Sequence, residues 1–491
     1  MSLSTERRNE KMTPETLQTE ITRSRFLRCG RTRTGRTYAY HTLFGNFSWL
    51  DEDLYEYLNS NQSPDKIPIL DLQSRTNDEV VKGLLDSYFY TFDPDEERLL
   101  LKEVLREREQ KVSSGYYLSG LQVSSSNACN FSCSYCFADT SDSRSAVRSR
   151  VAEGKSNISF ELAEAAISRV RDVGHRHGRQ AIAVKFLGRE PLINWRVIEQ
   201  LLERFSDGSV QWAITTNGSL ITREIAQVLK QHKVLVMVSL DGTAEVNDQN
   251  RLLKYSDEGT FALIEQGIKN LAEVGHSFGI SSVVSSAMSS ESMFSFVDQI
   301  AQYGARELEL TLVMQTTKLV QLDCSLGAKK ARMGADIQRL ASSLIEIYQR
   351  ATRHGILVHG DWVDPFHRLL TTHKFRNESE VQRPLGAGCT ATSHQISLEP
   401  TGDLFPCRAM SLHYGNIANL EAIMAAEEYQ RVMMRTFYNV AYCRDCTVEG
   451  FCQGTCLGSS EQASGDIYNP QEEYCAVYRE ATTQLLNTLE N

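Results

Sequence analysis

The sequence predicts an α/β chain built round a partial (β/α)6, TIM-like barrel, and three observations carry that expectation. Six short runs rich in β-branched and apolar residues recur at 120–126, 181–188, 210–218, 233–242, 280–286 and 308–315, as buried parallel strands do. Helical patterns separate them, with Val197, Ile198, Leu201, Leu202 and Phe205 on one face and Phe261, Ile264, Ile268 and Leu271 on another. Unusual residues stand where the runs end. Three cysteines follow the first, Gly188-Arg189-Glu190-Pro191 the second, Thr216-Asn217-Gly218 the third and Ser239-Leu240-Asp241-Gly242 the fourth. Barrels of this kind keep their chemistry at the C-terminal ends of strands.

The elements outside the barrel follow in order. Residues 1–117 differ in character: 36–50 alternate in a strand-like way, and 50–58 and 78–88 read as short amphipathic helices. That strand-then-helix order is like a small winged-helix module. The barrel takes residues 118–320. Residues 321–376 form a helical linker, in which Met333, Ile337, Leu340, Leu344 and Ile347 mark one helix face. The polar run 377–384 opens a cysteine-rich last domain, 377–491.

Composition narrows the function. With 62 acidic against 52 basic residues the net charge is −10, which argues against nucleic acid as a partner, because phosphate binding shows as a basic surplus. Arg144, Arg148, Arg150 and Lys155 make a local basic stretch, either a solvated loop or an anion site. No apolar tract is long enough to span a membrane and no signal-peptide pattern opens the chain, so no membrane partner is expected and the expected compartment is the cytoplasm. Twelve cysteines are anomalous there, since reducing conditions disfavour disulfides and clustered cysteines then point to metal or catalysis. Cys29 and Cys324 stand alone and read as ordinary thiols.

The first cysteine group, Cys129, Cys133 and Cys136, has the spacing C-x3-C-x2-C with Tyr135 before the last thiol. A disulfide framework needs an even number and a structural zinc site a fourth ligand, whereas three thiolates can hold an iron-sulfur cube with one iron open. This motif resembles that of the radical S-adenosylmethionine (radical SAM) enzymes. The resemblance implies that the open iron chelates SAM. It implies further that Gly188, Arg189, Glu190 and Pro191 correspond to the family's G-G-E-P motif at the SAM amino group, with Arg189 replacing a glycine, and that Asn217, Ser239 and Asp241 contribute to the cofactor site. The run from Asp241 to Arg251 is similar to D-G-x4-H-D-x2-R. Asp248 and Arg251 match it and Asn247 replaces the histidine, with a loop tie or a role near substrate both open.

The second group runs Cys389, twelve residues, Gly402, four residues, Cys407, then C-x2-C-x5-C-x3-C through Cys443, Cys446, Cys452 and Cys456, then Cys475. It resembles the SPASM domain, which carries auxiliary clusters, although C-x2-C pairs also build zinc ribbons. The family's scheme implies Cys443, Cys446, Cys452 and Cys475 for the second auxiliary cluster and leaves Cys389, Cys407 and Cys456 for the first, because no eighth cysteine precedes Cys389 in 381–388. Its fourth iron is then open to a substrate thiolate, or is completed by His394, a nearby carboxylate or water. Three [4Fe-4S] clusters are expected in all.

These features imply a radical SAM oxidoreductase that installs a thioether or carbon-carbon cross-link in a ribosomally made precursor peptide. Its leader would bind residues 1–117, and a flavodoxin or ferredoxin would supply electrons. A chain starting near Ser114 is expected to keep SAM cleavage. Two alternatives remain: a formylglycine-forming sulfatase maturase, against which Arg408 stands where those enzymes carry an acidic residue, and a non-catalytic iron-sulfur carrier, which would need no SAM pocket. The catalytic base is not identified by any of these motifs.

Overall fold

The computed structural model describes residues 20–59, 66–93, 95–136, 157–256, 258–284, 290–312, 330–372, 389–452 and 454–489. The basic stretch at 144–155, Cys324 and the polar boundary at 377–384 lie outside the described residues.

All six expected barrel strands form, as Gly120–Ser124, Ile182–Leu187, Val210–Thr216, Leu235–Ser239, Phe278–Val284 and Glu307–Leu312. They pair in parallel in sequence order. Valine, isoleucine and phenylalanine supply the buried side chains, Val184, Phe186, Ile214, Val236, Val238 and Ile280 among them, and these join the helix faces of Ile198, Leu201, Ile264 and Ile268 in one core. Gly267 lets the helix Phe261–Glu273 sit directly on the third strand's loop, since a Cβ there would meet the Gly218 carbonyl at 2.0 Å.

The sheet continues beyond those six strands at both edges. Leu357–His359, inside the expected helical linker, pairs in parallel with the sixth strand. At the other edge Gln395–Leu398 pairs in parallel with the first strand and turns back through the short strands Asp403–Phe405 and Gly415–Asn416. The cysteine-rich segment is therefore hydrogen-bonded into the barrel sheet rather than appended to it. Helix Lys330–Arg353 packs along helix Glu472–Leu486, which carries Cys475.

The N-terminal residues hold two small antiparallel sheets. Leu27–Arg31, Thr37–His41 and Phe47–Leu50 form a meander, followed by helices Glu52–Asn59, Ile69–Gln73 and Asp78–Asp86. Glu20–Arg23 is flanked by Lys66–Pro68 and Tyr90–Thr91 in the second sheet, which the sequence pattern did not suggest. These elements share a core of their own round Ile21, Leu58, Val81 and Phe89. A second core is mixed, with Phe26, Leu43, Leu101 and Val104 packing on Phe437, Val440 and Cys443 of the C-terminal domain. Ion pairing reinforces that seam, since Arg25 grips the buried Glu449 carboxylate through contacts of 3.0 and 3.3 Å. The module is thus wedged against a predicted cluster ligand, and a chain cut near Ser114 would strip apolar cover from Cys443.

Candidate functional site

The first cysteine loop leaves the first strand and is laced to the G-R-E-P loop by its backbone. Glu190 N donates to the Ala128 carbonyl at 3.1 Å, and Ser125 Oγ donates to the Pro191 carbonyl at 3.1 Å. A Cβ on Gly188 would lie 2.8 Å from the Ser126 carbonyl, so a glycine is required for the two loops to meet. Phe131–Cys133 then pairs antiparallel with Arg251–Leu253, which sets Cys133 opposite Arg251. Cys129, Cys133 and Cys136 end half-buried on this one hairpin-braced loop. Burial pushes the Cys133 thiol up to about 12, so a metal bound there must displace a proton.

Asp241 is the post on which the loop turns. Its carboxylate accepts from Arg251 Nε at 2.9 Å and Arg251 Nη2 at 3.0 Å, from Val283 N at 2.9 Å, and from the Tyr135 hydroxyl. It is fully buried. The resemblance implies a place for Asp241 in the SAM site, and these four donors also tie its carboxylate to Arg251 and the Cys133–Cys136 segment. Asn247 and Asp248 serve the same scaffold. Asn247 accepts from Asp241 N at 3.3 Å and donates to Thr260 and Asp248, while Asp248 accepts from the backbone of Thr260 and Phe261, each at 2.8 Å, at the start of the next helix.

Glu190 and Asn217 are braced in a similar way. The Glu190 carboxylate, buried and raised to about 7 by burial against three opposing hydrogen bonds, accepts from Asn217 N at 2.7 Å, Thr216 Oγ1 at 2.7 Å and Leu192 N at 3.0 Å. The Asn217 amide caps its own turn through Ser219 and donates to Asn130 Oδ1 at 2.8 Å. Both side chains brace the cysteine loop. Gly188, Arg189 and Ser239 stay half-exposed at the ends of their strands, and Arg189 lies close enough to Cys129 to favour its thiolate.

The second cysteine group divides in space. Cys443, Cys446, Cys452 and Cys475 line one pocket together with Gly454 and Arg479. Gly454 has φ +80°, and a Cβ there would stand 3.3 Å from Cys443 Sγ. The fully buried Arg435 fixes this wall by donating to the Gly454 carbonyl at 2.6 Å and the Ile467 carbonyl at 2.5 Å. Burial pushes the Cys452 thiol to about 11 and the Cys475 thiol to about 12. Cys389, Cys407 and Cys456 form a separate neighbourhood, with Cys389 and Cys407 both close enough to act on the Cys456 thiol. Gly458 and Ala409 bring two of their segments into contact, a Cβ on Gly458 falling 2.6 Å from Ala409 Cβ. The all-thiol donor sets, gathered about shared space that a Cβ would fill, fit iron-sulfur clusters.

Arg408 follows Cys407 and is buried, and its Nη1 donates to Ser124 Oγ at 2.6 Å, so a cation links the first auxiliary neighbourhood to the end of barrel strand one. His394 lies at the far end of barrel strand one from Ser124. Its ring bonds Ser393 Oγ at 2.8 Å and lies against Gly120 and Arg179 at the amino-terminal end of that strand. The sequence reading missed Asp361 and Tyr478. Burial, then the Asp364 charge, raise Asp361 to about 6, and its neighbours include Cys389, Cys456 and Tyr478. Its sequence signal was an aspartate just past a three-residue strand, too short to register as one.

Comparison with known families agrees with this geometry. Residues 123–288 match the Radical SAM superfamily and residues 389–447 match SPASM, an iron-sulfur cluster-binding domain. The chain thus carries a Radical SAM domain followed by a C-terminal SPASM domain, and its cofactors are a [4Fe-4S] cluster with SAM and auxiliary clusters. It is 24% identical to the radical SAM cyclopropyl synthase TigE of Paramaledivibacter caminithermalis, over 92% of this chain and 93% of that one. It is 23% identical to a cysteine-type anaerobic sulfatase-maturating enzyme of Clostridium perfringens, over 76% and 99%. Among solved structures, SuiB of Streptococcus suis bound to the precursor peptide SuiA superposes with a TM-score of 0.53 at 17% identity, covering 93% of this chain and 99% of that one. The sulfatase-maturating enzyme anSMEcpe with bound AdoMet gives 0.56 at 19%, covering 75% and 96%. These two likenesses are of fold. Among the described residues no helix is long and apolar enough to cross a membrane.

Proposed function

We propose that the chain is a peptide maturase that installs a cross-link in a ribosomally made precursor. The single observation that carries this reading is the way the cysteine-rich domain closes on the barrel mouth, with strand Gln395–Leu398 beside barrel strand one and Arg408 bonded to Ser124. An auxiliary site built that close to the SAM site suits a substrate radical that must lose an electron as a new bond closes. When bound, the first cluster and SAM supply a 5'-deoxyadenosyl radical able to take a hydrogen atom from the peptide.

The chain's own residues then have distinct tasks. Cys129, Cys133 and Cys136 would hold the first cluster; Gly188, Arg189 and Ser239 would contribute to the SAM site, with Glu190, Pro191, Asn217 and Asp241 at the same site and bracing its loops. Cys443, Cys446, Cys452 and Cys475 would hold the second auxiliary cluster, and Cys389, Cys407 and Cys456 the first. Residues up to 117 act as a winged-helix-like leader-binding module. One edge strand of its meander, Phe47–Leu50, presents the part-exposed Trp49, and an extended peptide can add there as a further strand. A small flavodoxin or ferredoxin of the same compartment, the cytoplasm, completes the reaction as electron donor.

The relative that spans nearly the whole chain is named a cyclopropyl synthase, which favours carbon-carbon bond formation over a thioether. The formylglycine reading is weakened because Arg408 stands after Cys407 and is committed to Ser124. Anaerobic incubation with SAM, dithionite and a short peptide encoded beside the gene tests the proposal. The expected products are 5'-deoxyadenosine and a peptide lighter by about two hydrogens. Absence of 5'-deoxyadenosine from a fully reconstituted chain would overturn it.

A further inference from the structure

We infer that Asp361 is the protein group that stands in for the missing eighth cysteine and completes the first auxiliary cluster through its carboxylate. The inference rests on the reading of Cys389, Cys407 and Cys456 as that cluster's three thiolates.

Asp361 is held at a fixed post. The strand Leu357–His359 delivers it along the edge of the barrel sheet, with His359 paired to Glu309. Gly360, at φ +146°, ends the strand in a conformation open to glycine, and a Cβ there would strike the Leu310 carbonyl at 2.4 Å. On the other side Trp362 Nε1 donates to that same carbonyl at 3.1 Å. Asp364 N and Val363 N both donate to the Gly360 carbonyl at 3.0 Å, closing the turn round Asp361. The helix that follows is tied to the cysteine segment, because Arg368 donates to the Phe451 carbonyl, next to Cys452, at 2.5 Å.

From this post Asp361 looks onto the cysteines. Tyr478, three residues after Cys475 and so on the same helix face, neighbours Asp361 and favours its carboxylate form. Asp361 is also the strongest carboxylate influence on both Cys389 and Cys456, and it acts on Cys452 of the other group. Its side chain is exposed, and its influence on cysteines of both groups sets it between the two auxiliary neighbourhoods. Nearby carboxylates are otherwise occupied: Glu309 accepts from Ser281 Oγ at 2.7 Å, and Asp364 binds Arg368 at 3.2 Å. A carboxylate oxygen is a harder, weaker partner for cluster iron than a thiolate. A cluster completed by Asp361 serves electron relay and needs no cysteine from the substrate.

The test uses the full chain with Cys129, Cys133 and Cys136 all changed to alanine, so that only auxiliary clusters are seen, after anaerobic reconstitution. Iron content and the paramagnetic resonance spectrum of the reduced protein are measured for Asp361, Asp361→Ala and Asp361→Cys, with and without added 2-mercaptoethanol. With aspartate present, the spectrum is expected to ignore the added thiol. Asp361→Ala should either gain a thiol-dependent signal or lose about half of its roughly eight irons. Asp361→Cys should keep all its iron and show shifted signals indifferent to thiol, which separates ligation from folding. Identical iron and spectra for Asp361 and Asp361→Ala under both conditions would overturn the inference alone. A C-terminal domain that binds no iron would overturn the cysteine assignment beneath it.

Discussion

Changing Arg251 to methionine isolates what the Asp241 post contributes. Arg251 makes two contacts with a carboxylate that is wholly buried, at 2.9 and 3.0 Å, and its backbone pairs with Cys133. Methionine keeps most of the side-chain volume but strips the buried Asp241 carboxylate of its partner. Removing one member of a buried pair costs about 3–5 kcal/mol, and at about 1.4 kcal/mol per decade this is a rise of about 10²- to 4 × 10³-fold in local opening. Native-state hydrogen exchange of the 131–136 and 251–253 segments reads that opening directly. It also avoids a global unfolding free energy, which a chain of several domains does not define well. Arg251→Met is expected to accelerate exchange in both segments by that factor and to shed the first cluster in preference to the auxiliary ones. Adding Asp241→Asn should recover part of the loss, because the double variant buries no unpaired charge. Exchange within about threefold of the parent would show that the hairpin is held by something other than this pair and refute the reasoning.

The remaining predictions follow from other parts of the molecule. Replacing Cys129, Cys133 and Cys136 together by alanine should abolish SAM cleavage while keeping about two thirds of the roughly twelve irons; a proportionate loss of all iron would contradict separate sites. Incubated with a cysteine peptide of the kind sulfatase maturases use, the chain should make no formylglycine by mass spectrometry, and Arg408→Asp should not confer that activity, since it also breaks the 2.6 Å bond to Ser124. His41 is buried with its pKa below the ordinary value. Its Nδ1 accepts from the backbone of Leu43 and Phe44 at 3.3 and 3.1 Å, while Nε2 meets Glu97 at 2.8 Å. The unfolded chain therefore takes up a proton near pH 6.5 that the folded one refuses, so the module's stability should fall as pH drops through that value. Hydrogen exchange of residues 37–50 that does not change between pH 8 and 6 would count against this.

The barrel was legible because each strand carries a compact β-branched run and each helix a clean apolar face; the strand from Val210 reads V-Q-W-A-I-T-T. What escaped notice lacks such local signatures. Leu357–His359 has three residues, and its strand character comes from pairing with Glu307–Glu309 rather than from its own sequence. Gln395–Leu398 sits only six residues past Cys389 and was read through the cysteines, so its place beside barrel strand one was not foreseen. The N-terminal module was expected to be separable because its pattern changes near residue 117. Its mixed core with Phe437 and Val440 depends on contacts more than three hundred residues apart in sequence, which no periodicity reports.

For the site, sequence spacing constrains thiols more tightly than carboxylates, and the reason is physical. Three or four thiolates that share a cluster must come from short, stereotyped loops, so their spacing is itself a constraint. A carboxylate can act as ligand or as internal brace with the same local sequence, and only its partners decide between them. Asp241 and Glu190 sit in the motifs where a ligand contact was expected, yet Arg251, Tyr135 and Val283 saturate the one, and Asn217, Thr216 and Leu192 the other. Asp361 sits in no motif. It reaches the auxiliary neighbourhood because Gly360 turns the chain at the barrel edge and Arg368 fastens the next helix to the cysteine segment. If a protein carboxylate does occupy the fourth iron, the missing eighth cysteine is not an opening for substrate sulfur but a substitution of ligand, and a core peptide lacking cysteine should still be cross-linked. A product that forms only when the core peptide contains cysteine would reverse that argument and return the fourth iron to the substrate.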